Sequence, residues 1–203
     1  MPEPFALAAA LGLFITLIVR LRRRGSKALP AISTLRPGWA EVRGRAVASS
    51  NAVRRAPISG REGLGWRVLV EEESGVRGWV TLVDRSEFGD FELEDESGTI
   101  SVRASASPTF LEVAEQRGHG GPFSPPPPSV ERLIARHHAD SRGVLFHKGL
   151  RWREWVLEQG REVLVRGRVV SEASDESLGY RKLAEVLVLA GGTKRPIEFL
   201  DPE

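Results

Sequence analysis

Apolar positions fall into two regimes along this chain. Residues 5–19, FALAAALGLFITLIV, carry no charge and are apolar on every side. From Trp39 onward, apolar residues alternate with polar ones in short runs. Pro4 and Leu21 extend the run slightly, and ~17 residues span roughly 25 Å as a helix, which suits a short bilayer-crossing segment. Being apolar all round, it does not read as an amphipathic surface helix. The period-two runs predict strands.

The strand-like part opens with WAEVRGRAVA, followed by the turn-rich SSNAVRRAPISGREG. LGWRVLVEEE and RGWVTLVDRS, joined by SGV, predict a hairpin over residues 64–83. DFELEDESGTISVRA predicts a second hairpin, with Phe91 and Leu93 facing the same way as Ile100 and Val102. A helix is expected next, capped by Ser107 with Pro108 in its first turn, through TFLEVAEQ to about Gly118. GHGGPFSPPPPS then predicts a stiff surface connection, with a proline-motif ligand as the rival reading. VERLIARHH, capped by Ser129, predicts a second short helix. LRWREWVLEQGREVLVRGRVVS and YRKLAEVLVLAGG supply the last strands, and a polar tail is expected to be loose.

Charge sharpens the reading of the N-terminal segment. Arg20, Arg22, Arg23, Arg24 and Lys27 all follow the apolar run. Of 29 basic and 27 acidic residues, setting aside these five and Glu3 leaves 24 and 26, so the rest is near −2. A nucleic-acid domain holds its positive charge on the folded body. A secretory signal begins with basic residues, whereas this chain begins MPEP. The expected anchor residues are Phe5, Leu11, Phe14, Leu17 and Val19. Arg20, Arg22, Arg23 and Arg24 suit anionic lipid headgroups and hold the downstream side in the cytoplasm. A single-pass membrane protein with a cytoplasmic main domain is the expectation.

One hexamer occurs almost twice: VRGRAV at residues 42–47 and VRGRVV at 165–170. In a strand, each copy puts a glycine on one face between two arginines on the other. Glycine within a strand marks a bend or close approach where a small barrel closes. No longer similarity flanks the copies, so duplication is rejected. The element order matches an OB-type barrel with the 64–83 hairpin inserted.

APISGREGLGWRV at 56–68, FELEDESGTISVRA at 91–104 and REWVLEQGREVLVRGRVV at 153–170 together resemble the signature of GIDE-type domains. These are also called beside-a-membrane (BAM) domains. They occur in membrane-anchored mitochondrial RING ubiquitin ligases and in prokaryotic membrane proteins. The resemblance covers about residues 39–191. It implies a non-catalytic, membrane-proximal domain that contacts protein substrates or partners. The family's proline–cysteine pair is replaced around Glu62 and Gly63, and the RING finger is absent. The chain has no cysteine, so no thiolates exist to hold RING zinc ions. Ubiquitin-ligase-like activity would therefore be inherited by name only.

Other chemistry is weaker. His137, His138 and Asp140 suggest a metal site, but adjacent helical side chains diverge by about 100°. GHGG resembles an esterase oxyanion loop, but no G-x-S-x-G elbow supplies a nucleophile. SGREGLGW lacks the ending of a phosphate loop. Asp90, Glu92, Glu94, Asp95 and Glu96 read as a solvated acidic face without EF-hand spacing. Trp66, in phase with Val68 and Val70, and Trp79, in phase with Thr81 and Val83, read as core or inter-strand packing. Trp152 and Trp155 are the candidate partner surface. The expected fold is therefore mainly β. It has an N-terminal transmembrane helix (1–24 with its basic flank), a linker (25–37), and an OB-like β-barrel domain (38–192). That domain contains an inserted β-hairpin and a short helical, Pro-rich insertion (about 105–150). A loose tail (193–203) follows. Expected partners are membrane lipid and an unidentified protein. Nucleic acid is disfavoured, and no cofactor, metal or catalytic residue is assigned.

Overall fold

The computed structural model describes residues 29–49, 53–75, 78–105, 109–113, 115–121, 123–137, 149–173, 185–192 and 195–202. The expected anchor and its arginines, with His138, Asp140 and His147, lie outside the described residues. Among the described residues no helix is long and apolar enough to cross a membrane.

The protein is mainly β. Five strands close a barrel: β1 (Gly38–Ala48), β6 (Phe91–Asp95), β7 (Gly98–Arg103), β11 (Glu162–Ala173) and β12 (Glu185–Ala190). The ring runs β1–β6–β7–β12–β11 and returns to β1. Every pairing is antiparallel except β7 with β12. Alternation builds the interior: Val42, Ala46, Phe91, Leu93, Ile100, Val102, Val163, Val165 and Val169 are all buried. Their outward neighbours keep the other face wet.

The two hexamers lie side by side. Val42 pairs with Val165, Gly44 with Val163 and Ala40 with Gly167. Both glycines stand where a neighbouring backbone closes in. A Cβ on Gly44 would come within 2.8 Å of the Glu94 carbonyl oxygen and of Leu93 Cγ. One on Gly167 would come within 3.1 Å of the Ala190 carbonyl oxygen. The four flanking arginines face out, and three of them pair with carboxylates: Arg43 with Glu162 at 2.7 Å, Arg45 with Glu94 at 3.8 Å, Arg166 with Glu41 at 2.6 Å.

The tail departs from expectation. Beyond Gly192 the chain forms β13 (Ile197–Leu200), which joins β11 on the same edge as β12. Strand β8 (Thr109–Glu112) adds to it in parallel. Ile197 and Phe199 are fully buried, with the Phe199 ring 5.5 Å from Phe91 and 5.6 Å from Phe88. Four residues, two of them apolar and in phase, suffice for a strand once a partner edge exists. Polar flanks hid them.

A second sheet leaves one end of the barrel. Its order is β5 (Gly78–Phe88), β4 (Gly65–Ser74), β10 (Leu150–Leu157) and β9 (Gln116–Gly120). The expected 64–83 hairpin is β4–β5, with a bulge at Val70–Glu71. The expected 107–118 helix is instead β8 and β9, because both segments find partner strands that outweigh local propensity. Helix α1 (Pro128–His137) begins on the last proline of the run, with the Pro127 carbonyl accepting from Val130 and Glu131 N–H. Ser129 thus lies inside the first turn rather than capping it. Val130, Leu133 and Ile134 form its buried stripe against Val68, Val70, Val83, Leu150 and Trp152. The remaining pair, β2 (Arg54–Arg55) and β3 (Glu62–Gly63), is a short hairpin.

Candidate functional site

Glu154 joins two of the segments that carry the family resemblance. Its carboxylate is buried and accepts from Ile58 N–H at 2.8 Å and Ser59 N–H at 3.0 Å. Leaving one such buried donor unpaired costs about 1–3 kcal/mol. Gly60 closes the same turn at φ +74°, a left-handed conformation that favours glycine. This carboxylate has a structural use.

The face of the second sheet turned away from α1 carries a charged ladder. β10 alternates, so Arg151, Arg153 and Trp155 share that face while Trp152 points to α1. Across on β4 stand Glu71, Leu69 and Arg67. Glu71 accepts from both Arg151 Nε at 2.7 Å and Arg151 Nη2 at 3.0 Å, with Arg153 Nη2 at 3.5 Å. The Arg151 guanidinium lies 4.2 Å above the Trp79 ring. Arg153 and Arg67 lie 5.4 and 5.2 Å from the Trp155 ring, and Arg67 forks onto Asp84 at 3.0–3.1 Å. The series runs Trp79, Arg151, Glu71, Arg153, Trp155, Arg67, Asp84. Arginine stacked on indole and forked onto carboxylate is held in a fixed orientation.

β9 widens this face. His119 stands beside Arg151, and Arg117 beside Arg153. The side chains border an open cavity of about 380 Å³ whose lining also includes Gly118 and Trp152. Three guanidiniums and an imidazole here meet one well-buried carboxylate, Glu71, with Glu115 at the margin 3.4 Å from Arg117. The hydrogen bonds from Arg151 hold the Glu71 carboxyl below the usual glutamate range, against burial, which pushes it up. The same pair raises the Arg151 guanidinium above its ordinary value.

The tryptophans are redistributed relative to expectation. Trp152 and Trp155 are only 9% and 3% exposed, so neither forms a surface. Trp152 lies against Gly118, where any Cβ would strike the indole, and Trp155 sits in the barrel-side core beneath two arginines. Trp79, expected in the core or in packing between strands, is 38% exposed and stacks under Arg151 of another strand. Trp66 does pack against the α1-side core. The usable surface belongs to the arginines at alternate positions of LRWREW, which the sequence reading passed over in favour of the tryptophans between them.

The acidic hairpin is occupied structurally. Asp95 accepts from Ser97 N–H and hydroxyl, Gly98 N–H and Ile32 N–H. Burial would push its carboxyl up, and these four donors together hold it down. Among the described residues, no group of three or more His, Cys, Asp or Glu is placed to hold a metal ion. His119 is on β9 and His137 ends α1, on separate elements.

Comparison with protein families, characterised proteins and solved structures finds no match to this chain.

Proposed function

We propose that this chain is a membrane-anchored, non-catalytic module of the GIDE type that holds a protein partner close to the bilayer. The observation that carries this reading is the separation of two ends of the barrel. The described chain begins beside the β6–β7 turn, where Ile32 and Ser33 N–H bond Asp95 and Ser97. The second sheet departs from the other end, through Phe88–Phe91 and Leu157–Glu162. Glu71 lies six residues beyond Gly65, about 20 Å further along β4. An anchor at residues 5–19 would thus hold the arginine face away from lipid, where a protein can reach it. The ring order, first–second–third–fifth–fourth strand, supports the OB-type reading of the barrel.

The test is crosslinking from membranes with the intact chain. The chain should resist alkaline washing and capture a protein. Arg151→Glu with Arg153→Glu should lower that capture at least tenfold. Fractionation with cytosol, or capture indifferent to the arginines, overturns the reading. A second reading, a tethered OB-type nucleic-acid binder, is favoured by Trp39, 44% exposed with Arg195 at 5.6 Å from its ring. It is opposed by Glu92 and Glu94, which face outward on β6. Steeply salt-dependent binding of single-stranded DNA or RNA would promote it.

A further inference from the structure

We infer that the open edge of β9 accepts an acidic, extended segment of a protein partner as an added strand. This rests on the interaction reading above and names the partner's chemistry. Glu73 N–H donates to the Gly149 carbonyl at 2.8 Å. Antiparallel bonding alternates, so odd-numbered residues of β10 bond β4 and even-numbered ones bond β9. Gln116, Gly118 and Gly120, opposite Glu154, Trp152 and Leu150, therefore turn their backbone groups inward. Arg117 and His119 turn their N–H and C=O groups to the open side. Gly121 and Ser124 exchange hydrogen bonds of 2.8 and 3.1 Å and so begin a return strand on that side. The register would next set Pro126 opposite His119. Proline has no N–H to give, and Pro126 instead packs beside Gly120, its N and Cδ 3.2 and 3.3 Å from where a Gly120 Cβ would stand, before the chain enters α1 at Pro128. Among the described residues no strand pairs with this edge of β9.

The side chains specify the guest. An added strand alternates its residues between the two faces. On one face it would meet Arg117, which is 78% exposed, and His119, with Arg151 and Arg153 one strand further in. Carboxylates at every second position complement that row. On the other face it would meet Gly118, which offers no side chain, and the Trp152 indole behind it. Valine or threonine fits there. A charged residue on an edge strand ordinarily blocks pairing. Here the charge repels basic strands and rewards acidic ones, which is selection rather than exclusion. Strand addition supplies affinity through the main chain and specificity through alternate side chains.

The experiment uses the full-length chain in nonionic detergent and a fluorescent nine-residue peptide alternating Glu with Val or Thr. Anisotropy should report saturable binding that weakens with salt. Hydrogen exchange at the Arg117 and His119 amides should slow on binding. Arg117→Glu should weaken binding at least tenfold, and so should methylating alternate peptide nitrogens of the ligand. Absence of binding overturns the inference, as does equal binding of the methylated peptide. Tighter binding of single-stranded DNA, or of vesicles containing phosphatidylserine, also overturns it. A protein captured from membranes through Arg151 and Arg153, with capture unaffected by Arg117→Glu, would sink strand addition while sparing the broader reading.

Discussion

Gly44 and Gly167 are the same device used on two adjoining strands, each admitting a different neighbour. Gly44 admits β6 and Gly167 admits β12, so the two close the barrel on either side of the β1–β11 pair. The clearances differ. At Gly44 a Cβ meets a carbonyl oxygen and a branched leucine, both at 2.8 Å, and the backbone cannot retreat without breaking the β1–β6 ladder. At Gly167 the nearest atoms are 3.1 and 3.2 Å away, which a few tenths of an ångström would relieve. Gly44→Ala should therefore cost about 1–3 kcal/mol by overpacking, and Gly167→Ala less. Arg43→Ala should leave the melting midpoint nearly unchanged, because its partner Glu162 is itself half exposed. Urea melts of the detergent-solubilised chain rank the three. Equal midpoints for Gly44→Ala and the parent would mean that the barrel does not close there.

At the scale of elements, β13 decides how much of the chain is domain. Phe199 fills the space between Phe88 of the second sheet and Phe91 of the barrel. Phe199→Ala should cost about 3–5 kcal/mol, as truncation of a buried aromatic does. A melt within error of the parent would return residues 197–200 to the status of a tail. The sequence made β1, β4, β7, β10 and β11 legible through a sustained period of two, and five-residue β6 through the hairpin turn it shares with β7. Other short elements were not: β8, β9 and β13 span four or five residues, too few to display a period. Glycine-rich QRGHG looked like a helix end followed by a loop, yet Gly118 is what lets Trp152 lie against β9. Trp79 does not share the buried face of Val83, because the bulge at Val70–Glu71 drops Leu82 out of the pairing; it packs across strands against Arg151 instead. The arginine ladder was hidden for a different reason. Cross-strand partners such as Glu71 with Arg151 are 80 residues apart, and no local pattern announces them.

Across the whole molecule, three carboxylates hold distant parts together and share one sign. Arg151 lowers Glu71 in the second sheet and Asp95 is lowered where the N-terminal segment meets the β6–β7 turn, while Glu162, lowered by Arg43 between β1 and β11, is half exposed and adds least. For Asp95, burial pushes upward and is outweighed by Ser97 and by the N–H groups of Ile32 and Gly98. A carboxyl depressed in the folded state binds its proton more readily when unfolded. Its stabilisation is fully present above the unfolded value, about 4.3 for glutamate and about 3.9 for aspartate. It is lost as pH falls through the lower folded values. The contribution of these groups to the melting temperature should therefore be full and independent of pH between about pH 5.5 and 8, and the melting temperature should drop below about pH 4.5. Glu71→Gln removes one of the three titrations, so its melting curve should start lower at neutral pH and lose less on acidification. Its tryptophan emission should also shift, because Arg151 would lose the carboxylate that sets it over Trp79. Parallel pH profiles for Glu71→Gln and the parent would mean that the ladder adds no acid-sensitive stability, and that the arginines are held by the indoles alone.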